Sequence, residues 1–241
     1  SLPGFVSISR QGNLAGKVIH GSSFLPAAFE GTSIPDVKKP IENLAMPVPR
    51  EIQATRLAAI RRLAAVYRRR REDDSRLDAR LAAYELAFRM QTRAPEAFDL
   101  SRESRATQKL YGLDQGETDE YGRQCLLARR LVERGVRFVV ANVDNQWDAH
   151  GNVNEHEKTS RQTDQPVAAL IADLKSRGLL DQTLVVWGGE FGRAPTGQGG
   201  GRDHHPYGFT MWLAGGGVKR GLQYGRTDDY AYNITDADGN M

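Results

Sequence analysis

Two short, unbroken apolar runs constrain this chain more than any other feature. Residues 136–143 read Val-Arg-Phe-Val-Val-Ala-Asn-Val, and residues 183–187 read Thr-Leu-Val-Val-Trp. Such runs suit strands that are covered on both faces. Each follows a helical pattern. Tyr121 to Arg134 precedes the first run, with Gly135 as its stop. Residues 157–177 lie between the two runs, with Val167, Leu170, Ile171 and Leu174 on one face and Gly178 at the end. Helix, strand, helix, strand in this order predicts an α/β fold with a mostly parallel central sheet flanked by helices. Phe5 to Ile8 alternates like a further strand. Phe209 to Leu213 predicts another, ended by Gly215-Gly216-Gly217.

Residues 50–95 have a different character. Leu57, Ile60, Leu63, Ala64 and Tyr67 recur at three- and four-residue spacing, and Leu77, Leu81, Tyr84, Leu86 and Phe88 continue the pattern. The expectation is a helical hairpin inserted in a single α/β domain that spans residues 1–241. Seven arginines lie between Arg56 and Arg71. Acidic residues flank them at Glu51, Glu72, Asp73 and Asp74, and no aromatic stacking platform accompanies them. They therefore predict a solvated or acid-facing helix surface and no nucleic-acid partner.

The bulk numbers exclude several classes. With 241 residues, 39% of them hydrophobic, the chain can bury a substantial core. The net charge of +3 is too small to imply a polyanionic partner. The one cysteine, Cys125, rules out an intrachain disulfide, and its apolar neighbours Leu126 and Leu127 predict a buried helical thiol. No apolar run approaches the ~20 residues of a membrane-spanning helix.

The chemistry-bearing residues collect after the two apolar runs. Trp147-Asp148-Ala149-His150-Gly151-Asn152 follows the first and Gly188-Gly189-Glu190 follows the second. Gly199-Gly200-Gly201-Arg202-Asp203-His204-His205-Pro206 comes soon after and reads as a glycine-rich loop. In open α/β sheets, ligands bind beyond the carboxyl ends of strands, so these segments are expected to converge. Carboxylate oxygens and imidazole nitrogens are the donors a divalent metal takes. Asp148, His150, Asp203 and His204 are the candidate metal ligands, and the ion would be zinc, calcium, magnesium or manganese. The alternative is a polar loop with a capping aspartate and exposed histidines. Glu190 would ligate, act as a base or orient a ligand histidine. Arg193 and Arg202 would contact an anionic substrate, since guanidinium forks match phosphate and sulfate oxygens. Their alternative role is a structural ion pair. His205 is a candidate proton donor or substrate contact. The glycines do not form a phosphate-binding loop, because the Lys-Ser/Thr ending is missing. No Gly-x-Ser-x-Gly elbow supports a serine hydrolase.

Several of these motifs resemble, in order and spacing, those of the DUF1501 family. They are Trp147-Asp148-x-His150-Gly151-Asn152, Gly189-Glu190-Phe191-Gly192-Arg193, Gly201 to Pro206, and Trp212 to Lys219 with Tyr224-Gly225 and Thr227-Asp228. Leu2-Pro3-x-x-Val6-Ser7-Ile8 and Phe24-Leu25-Pro26-Ala27 fit as well. The resemblance implies a sulfatase-like protein of the alkaline phosphatase superfamily, with one or two divalent metals at the strand ends. It implies a metal-dependent hydrolase of sulfate or phosphate esters, small-molecule or polysaccharide. By the same likeness, Asp203 and His204 would ligate one metal, and Asp148 and His150 the other. The superfamily nucleophile lies nearer the N-terminus than these residues, so the chain is expected to be an internal fragment, inactive alone. A twin-arginine signal upstream would export the protein to the periplasm. The competing expectation is a non-catalytic, sulfatase-like binding or structural protein.

Overall fold

The computed structural model describes residues 2–9, 30–38, 48–68, 75–143, 147–189 and 191–235. Two compact units form: Ser1–Lys109 with Arg123–Asp144, and Leu110–Gly122 with Asn145–Met241.

In the first unit, β1 (Phe5–Ile8) is the central strand of a parallel sheet, between β2 (Thr32–Ile34) and β3 (Phe138–Ala141). Val6 pairs with Thr32 on one side and Val139 on the other. Val6, Ile8 and Ile34 are fully buried. The helical hairpin expected at 50–95 forms as α1 (Arg50–Arg68) and α2 (Ser75–Phe98), which pack together. Leu57 and Ala64 of α1 are buried, and Arg61 Nε reaches Glu85 Oε1 at 2.7 Å. A short α3 (Arg105–Leu110) leads into α4 (Asp119–Glu133), which ends two residues before Gly135. Cys125 is buried with Leu126, Leu127 and Leu131, as its apolar neighbours predict.

Arginines of α4 are buried too. The Arg129 side chain is 1% exposed and pairs with Glu103 at 2.8 Å and with Glu133 at 2.7 Å. Arg130 also bonds to Glu103 and donates to the carbonyls of Ala97 and Glu96. One carboxylate thus anchors two buried guanidinium groups. Burial pushes the Glu103 carboxyl up, but Arg129 and Arg130 together outweigh it and hold the group below its ordinary value.

The second unit contains α5 (Glu155–Ser176), the antiparallel pair β4 (Leu184–Trp187) and β7 (Trp212–Gly215), the pair β5 (Gly192–Gln198) and β6 (Gly201–His205), and a small pair, β8 (Arg226–Thr227) and β9 (Ile234–Thr235). The most buried face of α5 differs from the expected apolar stripe. It carries Thr159, Thr163, Pro166, Ala169, Asp173 and Leu174. Asp173 is buried because it has partners: Tyr111 donates its hydroxyl at 3.1 Å and Arg177 its Nε at 2.7 Å.

The mixed α/β class holds, but the expected sheet is only partly realised among the described residues. Among the described residues, parallel strand pairing is confined to β2-β1-β3, and the other strand pairs are antiparallel. The strands at 138–141 and 184–187 exist, yet they belong to different sheets. Neither is covered on both faces: Phe138 is 68% exposed and Leu184 51%. The last expected strand begins at Trp212 rather than Phe209.

Glu103→Gln should leave the buried Arg130 guanidinium without its counter-charge and Arg129 with Glu133 alone, at a cost of about 3–5 kcal/mol. The sign with pH follows from a depressed carboxyl. Its stabilisation is present above the unfolded value near 4.5 and is lost as pH falls through the lower folded value. Urea midpoints measured across this acid range should fall for the native chain, and Glu103→Gln should remove that component.

Candidate functional site

The segment read from its glycines as a loop is a β-hairpin. β5 and β6 pair with Gly192 opposite His205, Arg193 opposite His204, Gly197 opposite Arg202 and Gln198 opposite Gly201. A register shift lies between Arg193 and Gly197. The turn is Gly199-Gly200, with Gly199 at φ +60, a conformation that glycine adopts without penalty. The reclassification matters for the histidines. Successive side chains on a strand point to opposite faces, so His204 and His205 cannot serve one site.

The segment 149–153 is laid along this hairpin by backbone hydrogen bonds. Arg202 N donates to Ala149 O at 3.2 Å, Gly200 N to Gly151 O at 3.1 Å and Val153 N to Gly200 O at 3.1 Å. Asn152 and Gly200 form a parallel bridge. The contact requires a missing side chain: a Cβ on Gly201 would lie 1.8 Å from Ala149 O and 2.5 Å from His150 O.

This seam brings His150 to His204. Their Nε2 atoms are 2.7 Å apart. Asp148 Oδ1 lies 2.8 Å from His150 Nε2 and 3.1 Å from His204 Nε2. The three side chains are about one-third exposed, so solvent and ions reach them. Two facing ring nitrogens at this distance have room for one proton between them when both are neutral. The other lone pair and the carboxylate converge on the same place, which is a donor set that a cation fits. Tetrahedral zinc with bonds of 2.0–2.1 Å would set its donors ~3.3 Å apart. The observed separations need to open by only about 0.2–0.6 Å.

Arg193 completes the cluster. Its Nη1 donates to the same Asp148 Oδ1 at 2.6 Å. Its guanidinium carbon sits 5.2 Å from the centroid of the Phe191 ring, which in turn packs on His204 at 4.1 Å. Partial burial pushes the Asp148 carboxyl up. The His204 hydrogen bond, Arg193 and the charge of His150 outweigh it and hold the group below the usual aspartate range.

The other predicted residues are placed elsewhere. Asp203 is not in the cluster, and its Oδ1 accepts from the backbone N–H of His204 at 2.7 Å. His205 has both ring nitrogens engaged. Nδ1 accepts from Gly208 N at 2.7 Å and Nε2–H donates to Tyr232 O at 2.5 Å. Arg202 Nη1 donates to Ala194 O at 3.2 Å. Glu190 lies outside the described residues.

Sequence reasoning overlooked the support around the cluster. Trp147, next to Asp148, meets Trp187 edge-on at 5.9 Å, and Trp187 stacks with Trp212 at 6.1 Å. His156 Nε2–H donates to Trp147 O at 3.1 Å and its ring lies 5.5 Å from the indole. The Trp187–Trp212 pair sits in register across β4 and β7, so the strands themselves fix a platform under the Asp148 segment. The available signal was that Trp187 closes one apolar run and Trp212 lies in the next.

The model of the DUF1501 family, described as a protein of unknown function, matches residues 1–240, so the chain belongs to that family. No curated protein and no solved structure matches it.

Gly201→Ala should force the seam apart, costing about 1–3 kcal/mol as an overpacked contact. Imidazole ¹H–¹⁵N correlation spectra should show the His150 and His204 signals shift together. Unchanged His150 and His204 signals would mean that the seam does not position them.

Proposed function

We propose that this member of the DUF1501 family is a divalent-metal-dependent hydrolase of sulfate or phosphate esters. The observation that carries the reading is the convergence of one ligand atom each from Asp148, His150 and His204, all within 4.8 Å of one another. Two imidazoles with one carboxylate suit zinc or manganese better than calcium or magnesium, which prefer oxygen donors. When bound, the cation would polarise an ester oxygen and lower the pKa of the attacking group. Arg193 would bind the anionic oxygens of the ester, for which a guanidinium fork is suited. Asp148 and His204 are held in place by the hairpin, so little reorganisation is needed on loading. His205, with both nitrogens bonded, would fix the turn after β6 rather than move a proton. The likeness of the motifs to sulfatase-like proteins of the alkaline phosphatase superfamily supports the ester class, and with it export from the cytoplasm.

One observation favours a second reading. The Arg193–Asp148 pair already satisfies the carboxylate, so the cluster would persist by hydrogen bonds alone in a non-catalytic binding or structural protein.

Elemental analysis of the purified full-length protein, with hydrolysis of aryl sulfate and aryl phosphate followed with and without chelator, separates the two. We expect a stoichiometric divalent ion that is lost in His204→Ala and Asp148→Ala, and chelator-sensitive hydrolysis that is lost with it in those variants. A chain that takes up no divalent ion would overturn the metal reading. Metal uptake with no hydrolysis of either ester would support the binding protein.

A further inference from the structure

The same atom, Asp148 Oδ1, carries three contacts: His150 Nε2 at 2.8 Å, His204 Nε2 at 3.1 Å and Arg193 Nη1 at 2.6 Å. The first two belong to the candidate metal ligands and the third is a fixed positive charge. Arginine stays protonated at any working pH, so this charge cannot be shed. A cation held by Asp148, His150 and His204 would share its carboxylate oxygen with a guanidinium. The two positive charges oppose each other unless something negative joins them.

We propose that Arg193 couples cation binding to oxyanion binding. The inference rests on the metal reading above. With no cation present, Arg193 neutralises Asp148 and keeps the carboxylate aimed at the two imidazoles. It thereby weakens the site for any cation. Once a cation is seated, the guanidinium turns its donors to the sulfate or phosphate oxygens of a substrate. The oxyanion then relieves the repulsion between the two charges. Cation and oxyanion therefore strengthen each other's binding, and by linkage the effect is reciprocal.

Three features of the surroundings suit this role. Arg193 stands opposite His204 in the β5–β6 register, so its backbone is fixed beside a ligand. Its side chain is 18% exposed, which leaves it accessible to an anion. The Phe191 ring under the guanidinium carbon offers a face that accepts the charge without fixing its donors to one partner.

A purely supporting arginine makes the opposite prediction. An outer residue that only orients a ligand carboxylate strengthens metal binding, and its loss weakens affinity by about 10–100-fold. The sign of the effect of removing Arg193 therefore decides between the two roles.

Calorimetric titration of zinc or manganese chloride into chelator-treated chain supplies the test, in chloride and in sulfate at equal ionic strength. For the native chain we expect sulfate to tighten metal binding by about 5–150-fold, the usual range of such coupling. Arg193→Met should bind the metal more tightly than the native chain in chloride and show no response to sulfate. Arg193→Lys keeps the charge, so it should resemble the native chain in chloride and retain part of the sulfate response. Circular dichroism melting of each variant checks that it is folded. No metal binding by the native chain would overturn both the coupling and the metal reading. Metal binding that is insensitive to sulfate, or weakened in Arg193→Met, would overturn the coupling alone. Should Arg193→Met prove unfolded, the native and Arg193→Lys titrations still decide, because loss of any sulfate effect in both overturns the proposal.

Discussion

The candidate site depends on a few backbone hydrogen bonds between residues 149–153 and the turn of a hairpin. None of the proposed ligands makes that contact with its side chain. Main-chain groups of Ala149, Gly151 and Val153 meet those of Gly200 and Arg202. Backbone bonds of this kind are directional and carry a fixed register, so they place side chains more reproducibly than a loop held by side-chain packing. The bare α-carbon of Gly201 allows the two chains to come close enough for the bonds to form. Asp148, His150 and His204 then meet as a consequence of main-chain geometry.

The residue types of the site were legible in the sequence, and the way they meet was not. Convergence of the Asp148 and His204 segments was expected from two neighbouring parallel strands that deliver their ends to one place. The structure brings them together through a different contact, a hairpin seam. The error lay in the reading of Gly192 to His205. Its glycines, Pro195 and polar residues have low strand propensity and no apolar alternation, so nothing local marks it as paired. Cross-strand partners supply what the sequence pattern lacks. Asp203 was paired with His204 as a ligand by the family resemblance, whereas on a strand the two adjacent side chains face opposite ways.

Elements of regular periodicity fared better. The hairpin of α1 and α2, the helices α4 and α5, and the strands β1, β3 and β4 all fall within a few residues of where apolar spacing puts them. Their partners were not legible. The apolar runs in β3 and β4 predicted burial on both faces, yet each strand has residues open to solvent. Burial of charge was likewise hidden. Arg129 and Arg130 lie on a helix whose pattern gives no sign that Glu103, far away in sequence, comes to meet them.

The adjacent imidazoles of β6 have different work because strand geometry is a parity rule. One neighbour faces the carboxylate of Asp148, while the other is locked between a turn amide and the carbonyl of Tyr232. The doubled histidine is thus two separate parts rather than a spare copy. A relative that kept the Asp-His-His triplet but gained or lost one residue between Gly201 and His204 would present the wrong ring to the carboxylate. Its triplet would look intact in an alignment by composition, while the ion cradle would be gone.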